Sequence, residues 1–321
     1  MSERCPVELH AHHVGIFCKD IDASINWWRE NFGFKLRRRV VLPLPDGGIS
    51  NMCQVRAGGV YLELYGYPDI PQQTEENFWS TLGTKHVCFA PRNCSLDEVR
   101  QYLDVRGISY ELSCETPIGP DGAPIRSLWF YDPSGTRIQI IEEFYPGGDF
   151  AYTEQELFRT TARDPDIPQI IFHHIAKYCS DLNASIQWYN VALGLECVWQ
   201  GVSRGNEGES HNCAFLRGAG YYIELHEKPY APQPKEAYWG TLGTKHISLY
   251  TDESDMPKLI AYLKSLGTQF TVEHHWDEEY NHIPGGYTVA FFPDLDGTTI
   301  EINGTFFPGE GLYPGENIFD D

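Results

Sequence analysis

Along the chain, apolar residues either alternate with polar ones or fill short unbroken runs, and these runs are separated by clusters of Gly, Pro, Asp and Asn. That period reads as β-strand. The first strands expected are His13–Cys18, Leu36–Leu42, Ile49–Val55 and Val60–Tyr65, with the turn Pro45-Asp46-Gly47-Gly48 between the second and third. Between the first two, the residues from Asp22 to about Asn31 follow a helical pattern, with Asp22 as candidate N-cap and Phe32-Gly33 as the stop. The same order begins again at His86. Its helix is opened by Ser95-Leu96-Asp97-Glu98, spaced as a capping box, and closed at Arg106-Gly107. Strands near Ile108–Ser113, Arg126–Tyr131 and Arg137–Glu142 complete this second unit.

The whole pattern is then repeated. His12-His13-Val14-Gly15-Ile16 with Asp22-Ala23-Ser24-Ile25-Asn26-Trp27-Trp28 returns as His173-His174-Ile175-Ala176 with Asn183-Ala184-Ser185-Ile186-Gln187-Trp188-Tyr189. Thr81-Leu82-Gly83-Thr84-Lys85-His86 returns as Thr241-Leu242-Gly243-Thr244-Lys245-His246. Helices are expected near Asn183–Ala192 and Asp255–Leu266 in the second copy, the latter ended by Gly267. A repeat this long is domain-sized rather than solenoidal. The expected organisation is a first domain over 1–146, a linker over 147–168, a second domain over 169–306 and an acidic tail over 307–321. Glu154–Phe158 is a candidate short helix within the linker region.

Charge narrows the partners. With 24 basic and 45 acidic residues the net charge is −21, and only Arg37-Arg38-Arg39 forms a basic run, so nucleic acid and anionic membrane surfaces are not expected partners. Met1–Val14 has no apolar stretch preceded by positive charge, and no later run has the length of a membrane span. The expectation is a cytoplasmic protein. The nine cysteines fall mostly inside strand-like runs and read as reduced, buried thiols.

Polar residues at matching strand positions are the candidate chemistry. In the first copy they are His13, Glu63, His86 and Gln139; in the second, His174, Glu224, His246 and Glu301. In Tyr222-Ile223-Glu224-Leu225-His226 and Thr299-Ile300-Glu301-Ile302-Asn303 the acid alternates with apolar neighbours. Each acid therefore lies on the face opposite the one that packs beneath helices. Two imidazoles and two carboxylates on one concave face suit a divalent Fe, Ni, Zn, Co or Mn ion rather than Ca. Taken singly, a histidine opening a strand is more often a core residue and a strand glutamate a solvated one; the joint recurrence carries the inference.

Together with Leu193-Gly194-Leu195, Ile223-Glu224-Leu225 and Asp294-Leu295-Asp296-Gly297-Thr298-Thr299-Ile300-Glu301, these motifs resemble the vicinal oxygen chelate superfamily. That group includes glyoxalase I, methylmalonyl-CoA epimerase, extradiol ring-cleavage dioxygenases and bleomycin or fosfomycin resistance proteins. The resemblance covers both halves of the chain. It implies an α+β fold of tandem βαβββ units, two glyoxalase-like domains with cupped open mixed sheets, and a metal that chelates two neighbouring substrate oxygens. By position, His174, Glu224, His246 and Glu301 match the His/Glu/His/Glu set of glyoxalase I-like members. Gln139 at the last ligand position of the first copy can coordinate through its carbonyl oxygen but cannot act as a base, which implies a weaker or structural first-copy site. Superfamily sites are built within one domain or between domains, so His13 and Glu63 are the alternative companions of His246 and Glu301.

Three activities follow from the resemblance. The first is a metal-dependent lyase or isomerase working through an enediolate, with Glu301 or Glu224 removing a proton. The second is an Fe(II) extradiol dioxygenase using His174, His246 and Glu301, with His282 as active-site histidine; Phe291 stands where that family has a Tyr, and Tyr221 or Tyr222 where it has a His. The third is a protein that sequesters a small molecule in a pocket lined by aromatics such as Trp27, Trp28, Trp79, Trp188 and Trp239. His274 and His275 join His282 in a further histidine group, of which His282 is the candidate acid-base. A small-molecule substrate and a homodimer are the expected partners.

Overall fold

The structure is a computed structural model, and it describes residues 4–43, 49–57, 60–72, 74–92, 94–115, 125–142, 144–148, 166–204, 210–218, 220–234, 240–278 and 285–305. The expected turn at Pro45–Gly48, the short helix over Glu154–Phe158, Trp239, His282 and the tail lie outside the described residues.

Four βαβββ units follow one another. The first is β1 (His10–Cys18), α1 (Ile21–Phe32), β2 (Lys35–Pro43), β3 (Ile49–Ala57) and β4 (Val60–Gly66). A short helix, α2 (Glu75–Ser80), leads to the second: β5 (Gly83–Pro91), α3 (Leu96–Arg106), β6 (Glu111–Glu115), β7 (Ile125–Tyr131) and β8 (Arg137–Ile141). The third is β9 (Ile170–Cys179), α4 (Leu182–Leu193), β10 (Glu196–Arg204), β11 (Ser210–Gly218) and β12 (Tyr221–Glu227). The fourth is β13 (Gly243–Tyr250), α5 (Met256–Ser265), β14 (Val272–Trp276), β15 (Tyr287–Pro293) and β16 (Thr299–Asn303).

The helix ends obey local chemistry. Asp20, rather than the expected Asp22, caps α1, because its carboxylate accepts from Ala23 N at 3.0 Å. Asp22 sits in the first turn and pairs with Arg39 at 2.6 Å. Asp181 caps α4 in the same way, and Ser95 and Glu98 form the capping box of α3. Gly33 and Gly194 end α1 and α4 at φ 67° and 73°, a left-handed conformation that side chains disfavour.

Strand pairing joins units from different halves of the sequence. One eight-stranded sheet has the order β14-β15-β16-β13-β1-β4-β3-β2, and the other β10-β11-β12-β9-β5-β8-β7-β6. The first unit thus shares a sheet with the fourth, and the second with the third. The seams are the antiparallel pairs β1–β13 and β9–β5.

The main core lies where the helices cover the sheets. Trp28 of α1 is fully buried against Phe34 of its own unit and Phe89 of the other sheet, and its indole N–H donates to Asp132. The second half answers this junction with charge: Lys177 of β9, also fully buried, pairs with Asp294 after β15, which accepts a 2.6 Å hydrogen bond from Tyr189 of α4. Removing one member of a buried pair leaves the other charge desolvated. Lys177→Met should therefore destabilise the fold by about 3–5 kcal/mol. Adding Asp294→Asn should recover part of that loss, as read by denaturant unfolding.

Candidate metal centre

The β1–β13 seam brings the first set of donors together through register. Across β16, β13, β1 and β4, one row of neighbours reads Glu301, Ser248, His13 and Tyr61, and the next reads Thr299, His246, Gly15 and Glu63. The four polar donors therefore occupy the corners of a small patch whose middle holds Ser248 and Gly15. Gly15 is required by close approach: a Cβ there would lie 2.0 Å from His246 Cε1.

The donor atoms converge. His13 Nε2 lies 2.8 Å from His246 Nε2, 3.0 Å from Glu63 Oε2 and 2.9 Å from Glu301 Oε2. His246 Nε2 is 3.0 Å from Glu301 Oε2 and 3.8 Å from Glu63 Oε2. Imidazole and carboxylate ligands sit about 2.0–2.2 Å from a transition metal, so neighbouring donors on one ion are about 3 Å apart. The spacing fits that requirement, and all four side chains are buried.

Electrostatics point the same way. Burial alone would lower the pKa of His13, but the Glu63 and Glu301 carboxylates outweigh it and raise it to about 10. Burial likewise works against ionising the two acids, yet His13 holds Glu63 at about 2 and Glu301 well below the usual carboxylate range. Two carboxylates in a buried cup demand a positive charge, and in the metal-free protein a proton on His13 supplies it.

A surrounding layer aims the ligands. Gln54 donates to Glu63 Oε1 at 2.8 Å and the Tyr65 hydroxyl to Glu63 Oε2 at 2.6 Å. Asn303 donates to Glu301 Oε1 at 3.0 Å, leaving Oε2 toward the imidazoles. His13 Nδ1 meets His12 Nδ1 at 2.6 Å. Adjacent strand residues normally point to opposite faces, but the β1–β13 register slips between Ala11 and His13, and this bulge lets the two rings touch. Burial, and after it the charge on His13, keeps His12 neutral. Such contacts fix the tautomer and orientation of a ligand imidazole.

The β5–β9 seam builds a second cluster of like design. His86 Nε2 is 3.1 Å from His174 Nε2, and Glu224 Oε2 lies 3.1 Å from His174 and 3.5 Å from His86. The expected quartet His174, Glu224, His246 and Glu301 is therefore divided. His246 and Glu301 stand with His13 and Glu63; His174 and Glu224 stand with His86. The reason is topological, since each seam pairs strands from opposite halves of the chain. A third grouping, Cys88 with His173 and His174, overlaps the second through His174. His274 and His275 lie on the exposed strand β14 and belong to neither cluster.

His12, His173, Gln54, Tyr65 and Asn303 are supports whose role residue order does not mark. One signal was available, the His-His pair that occurs in both copies; the bulges that make it useful are not visible in residue order.

A family model described as Glyoxalase/Bleomycin resistance protein/Dioxygenase superfamily matches residues 10–140 and 171–302. Comparison with curated proteins finds no match. Among solved structures, a mutant of glyoxalase I from Zea mays is similar with a TM-score of 0.59 at 18% identity, covering 92% of this chain and 94% of that one. A candidate dioxygenase from Bacillus subtilis is similar with a TM-score of 0.64 at 17% identity, covering 94% and 86%. At such identities the likeness shows the fold.

Two outcomes are expected of this geometry. Gly15→Ala should displace the His246 ring and weaken divalent-metal affinity by about 10- to 100-fold in a folded protein, measured by titration calorimetry. The raised pKa of His13 means its proton stabilises the metal-free fold below its ordinary value of 6.5 and is lost as pH climbs through about 10. The gain in melting temperature on adding Zn2+ should therefore be larger at high pH than at neutral pH.

Proposed function

The chain belongs to the Glyoxalase/Bleomycin resistance protein/Dioxygenase superfamily, and from that premise we propose that it is a metal-dependent lyase or isomerase acting on a small molecule with adjacent oxygens. His13, Glu63, His246 and Glu301 are the proposed holders of the ion, of the Fe, Ni, Zn, Co or Mn kind. When bound, such an ion supplies Lewis acidity toward two neighbouring oxygens. The observation that carries the reading is the second carboxylate. A ring-cleaving oxygenase site of two histidines and one acid has no need of it, whereas proton abstraction beside a carbonyl needs an acceptor.

The two acids differ in freedom. Glu63 is clamped at both oxygens, by Gln54 and by Tyr65, while Glu301 has Asn303 on Oε1 and the two imidazoles near Oε2. Glu301 is therefore the proposed proton acceptor, and Glu63 the fixed anchor. Around them, Tyr61, Tyr287 and Val289 form a buried apolar cluster against which Trp276 and Phe291 pack, and Arg38 hydrogen-bonds the Tyr287 hydroxyl. These walls exclude water and favour a small, partly unsaturated substrate. Phe291 faces Glu301 across β15 and β16 and lies 5.8 Å from the His246 ring. It brings no hydroxyl to the site, so the ring-cleaving alternative gains no acid-base group there. Glu224, the other expected base, belongs to the second cluster. Among the described residues no helix is long and apolar enough to cross a membrane.

The test is hydrogen exchange. With Ni2+, Zn2+, Co2+ or Mn2+ bound, the protein should exchange the C–H of α-hydroxycarbonyl compounds in D2O, followed by NMR. Glu301→Gln should lower that rate by about 10²- to 10⁴-fold while metal content persists. Oxygen uptake on catechols with Fe2+, and no exchange, would overturn the reading.

A further inference from the structure

The second cluster has a different fourth corner and a different ceiling. By register Gln139 stands beside Cys88 as Glu301 stands beside Ser248, on the same face as His86 and His174. Gln139 is 3% exposed, and its side-chain oxygen has no hydrogen-bond partner. A buried, unsatisfied carbonyl beside two imidazoles and a carboxylate is a costly arrangement unless a cation completes it.

The supports are complete. His226 Nε2 lies 3.1 Å from Glu224 Oε2, the place Tyr65 takes at Glu63, and its Nδ1 meets His211 Nε2 at 2.8 Å. Behind His174 runs a relay: its Nδ1 is 2.7 Å from His173 Nδ1, and His173 Nε2 is 2.6 Å from the Phe144 carbonyl. A carbonyl only accepts, so His173 carries its proton on Nε2. With its proton on Nε2, the neutral His173 ring has Nδ1 as an acceptor, placed to receive the Nδ1–H of His174. The Nε2 lone pair of His174 is thereby turned toward His86 and Glu224.

The same stretch of chain fills the cup. Phe144 is buried against Phe215 and Trp199, the Tyr222 hydroxyl donates to the Pro146 carbonyl at 2.8 Å, and Arg217 donates to the Gly147 carbonyl. Trp199, Phe215 and Tyr222 lie on the face that carries Glu224. A bound substrate would have to take the space these backbone groups occupy.

We propose that His86, His174, Glu224 and Gln139 form a second divalent-metal site, closed to substrate by Phe144–Gly148, whose Phe144 carbonyl also orients its ligand His174. With one carboxylate instead of two, this donor set neutralises only half of a divalent charge. It favours ions that bind imidazole strongly, Zn2+ or Ni2+, over Mn2+. The inference does not rest on the activity proposed for the first cluster.

The experiment uses the full chain, with Zn2+ as the probe and elemental analysis after dialysis as the readout. His246→Ala, which dismantles the first cluster, should leave about one Zn2+ per chain. Adding His174→Ala should bring it to none, and Glu224→Gln in place of His174→Ala should do the same if the former fails to fold. Retention of Zn2+ by these double variants, or no Zn2+ in His246→Ala itself, would overturn the site. In the His246→Ala background, Phe144→Ala should speed chelator extraction of Zn2+ by at least about tenfold. An unchanged rate would overturn the closure.

Discussion

Everything at the candidate metal centre depends on one seam, the antiparallel pairing of β1 with β13. It sets residues from opposite halves of the chain side by side, and its register puts His246 over Gly15, with Glu63 beyond. A slip by one residue at this seam would leave His13 and Glu63 on the opposite face from His246 and Glu301. The absence of a side chain at Gly15 is part of that constraint, because the His246 ring lies where a methyl group would be. Strand pairing, burial and the convergence of donors are therefore a single fact seen at three scales.

The paired seam, β5 with β9, shows what duplication preserves and what it lets go. Both clusters keep two histidines and a glutamate, a bulge that brings neighbouring imidazoles together, and a supporting donor on the glutamate. They part at the positions that decide chemistry. Ala176 replaces Gly15, Gln139 replaces Glu301, and Phe215 stands where Gln54 reaches Glu63. One cluster holds two acids that need a counter-charge, and the other holds one acid and an amide beneath a packed ceiling.

Much of this was legible in residue order. The four βαβββ units, the capping box at Ser95 and the glycine stops follow from periodicity and capping, which act over a few residues. The histidines and acids were legible through their recurrence. Their grouping was not, because His246 is as compatible with Glu224 as with Glu63 until strand pairing is known. Alternation along each strand fixes which face a residue takes, but not which strand comes next to it. The second tier was hidden for a related reason. Gln54, Tyr65 and Asn303 are ordinary strand residues until Glu63 and Glu301 arrive beside them, and Phe144, near the end of the first domain, carries no mark in residue order of its place in the core.

The exchange of units between sheets has a further consequence. If either half stood alone as a polypeptide, β1 and β5 would offer unpaired edges, and the simplest way to cover them would be another molecule of the same kind. Such a symmetric pair would carry two identical centres, and any change in one would appear in both. Joining the halves covalently removes that symmetry, so two cups of different lining can coexist in one molecule without either being compromised by the other.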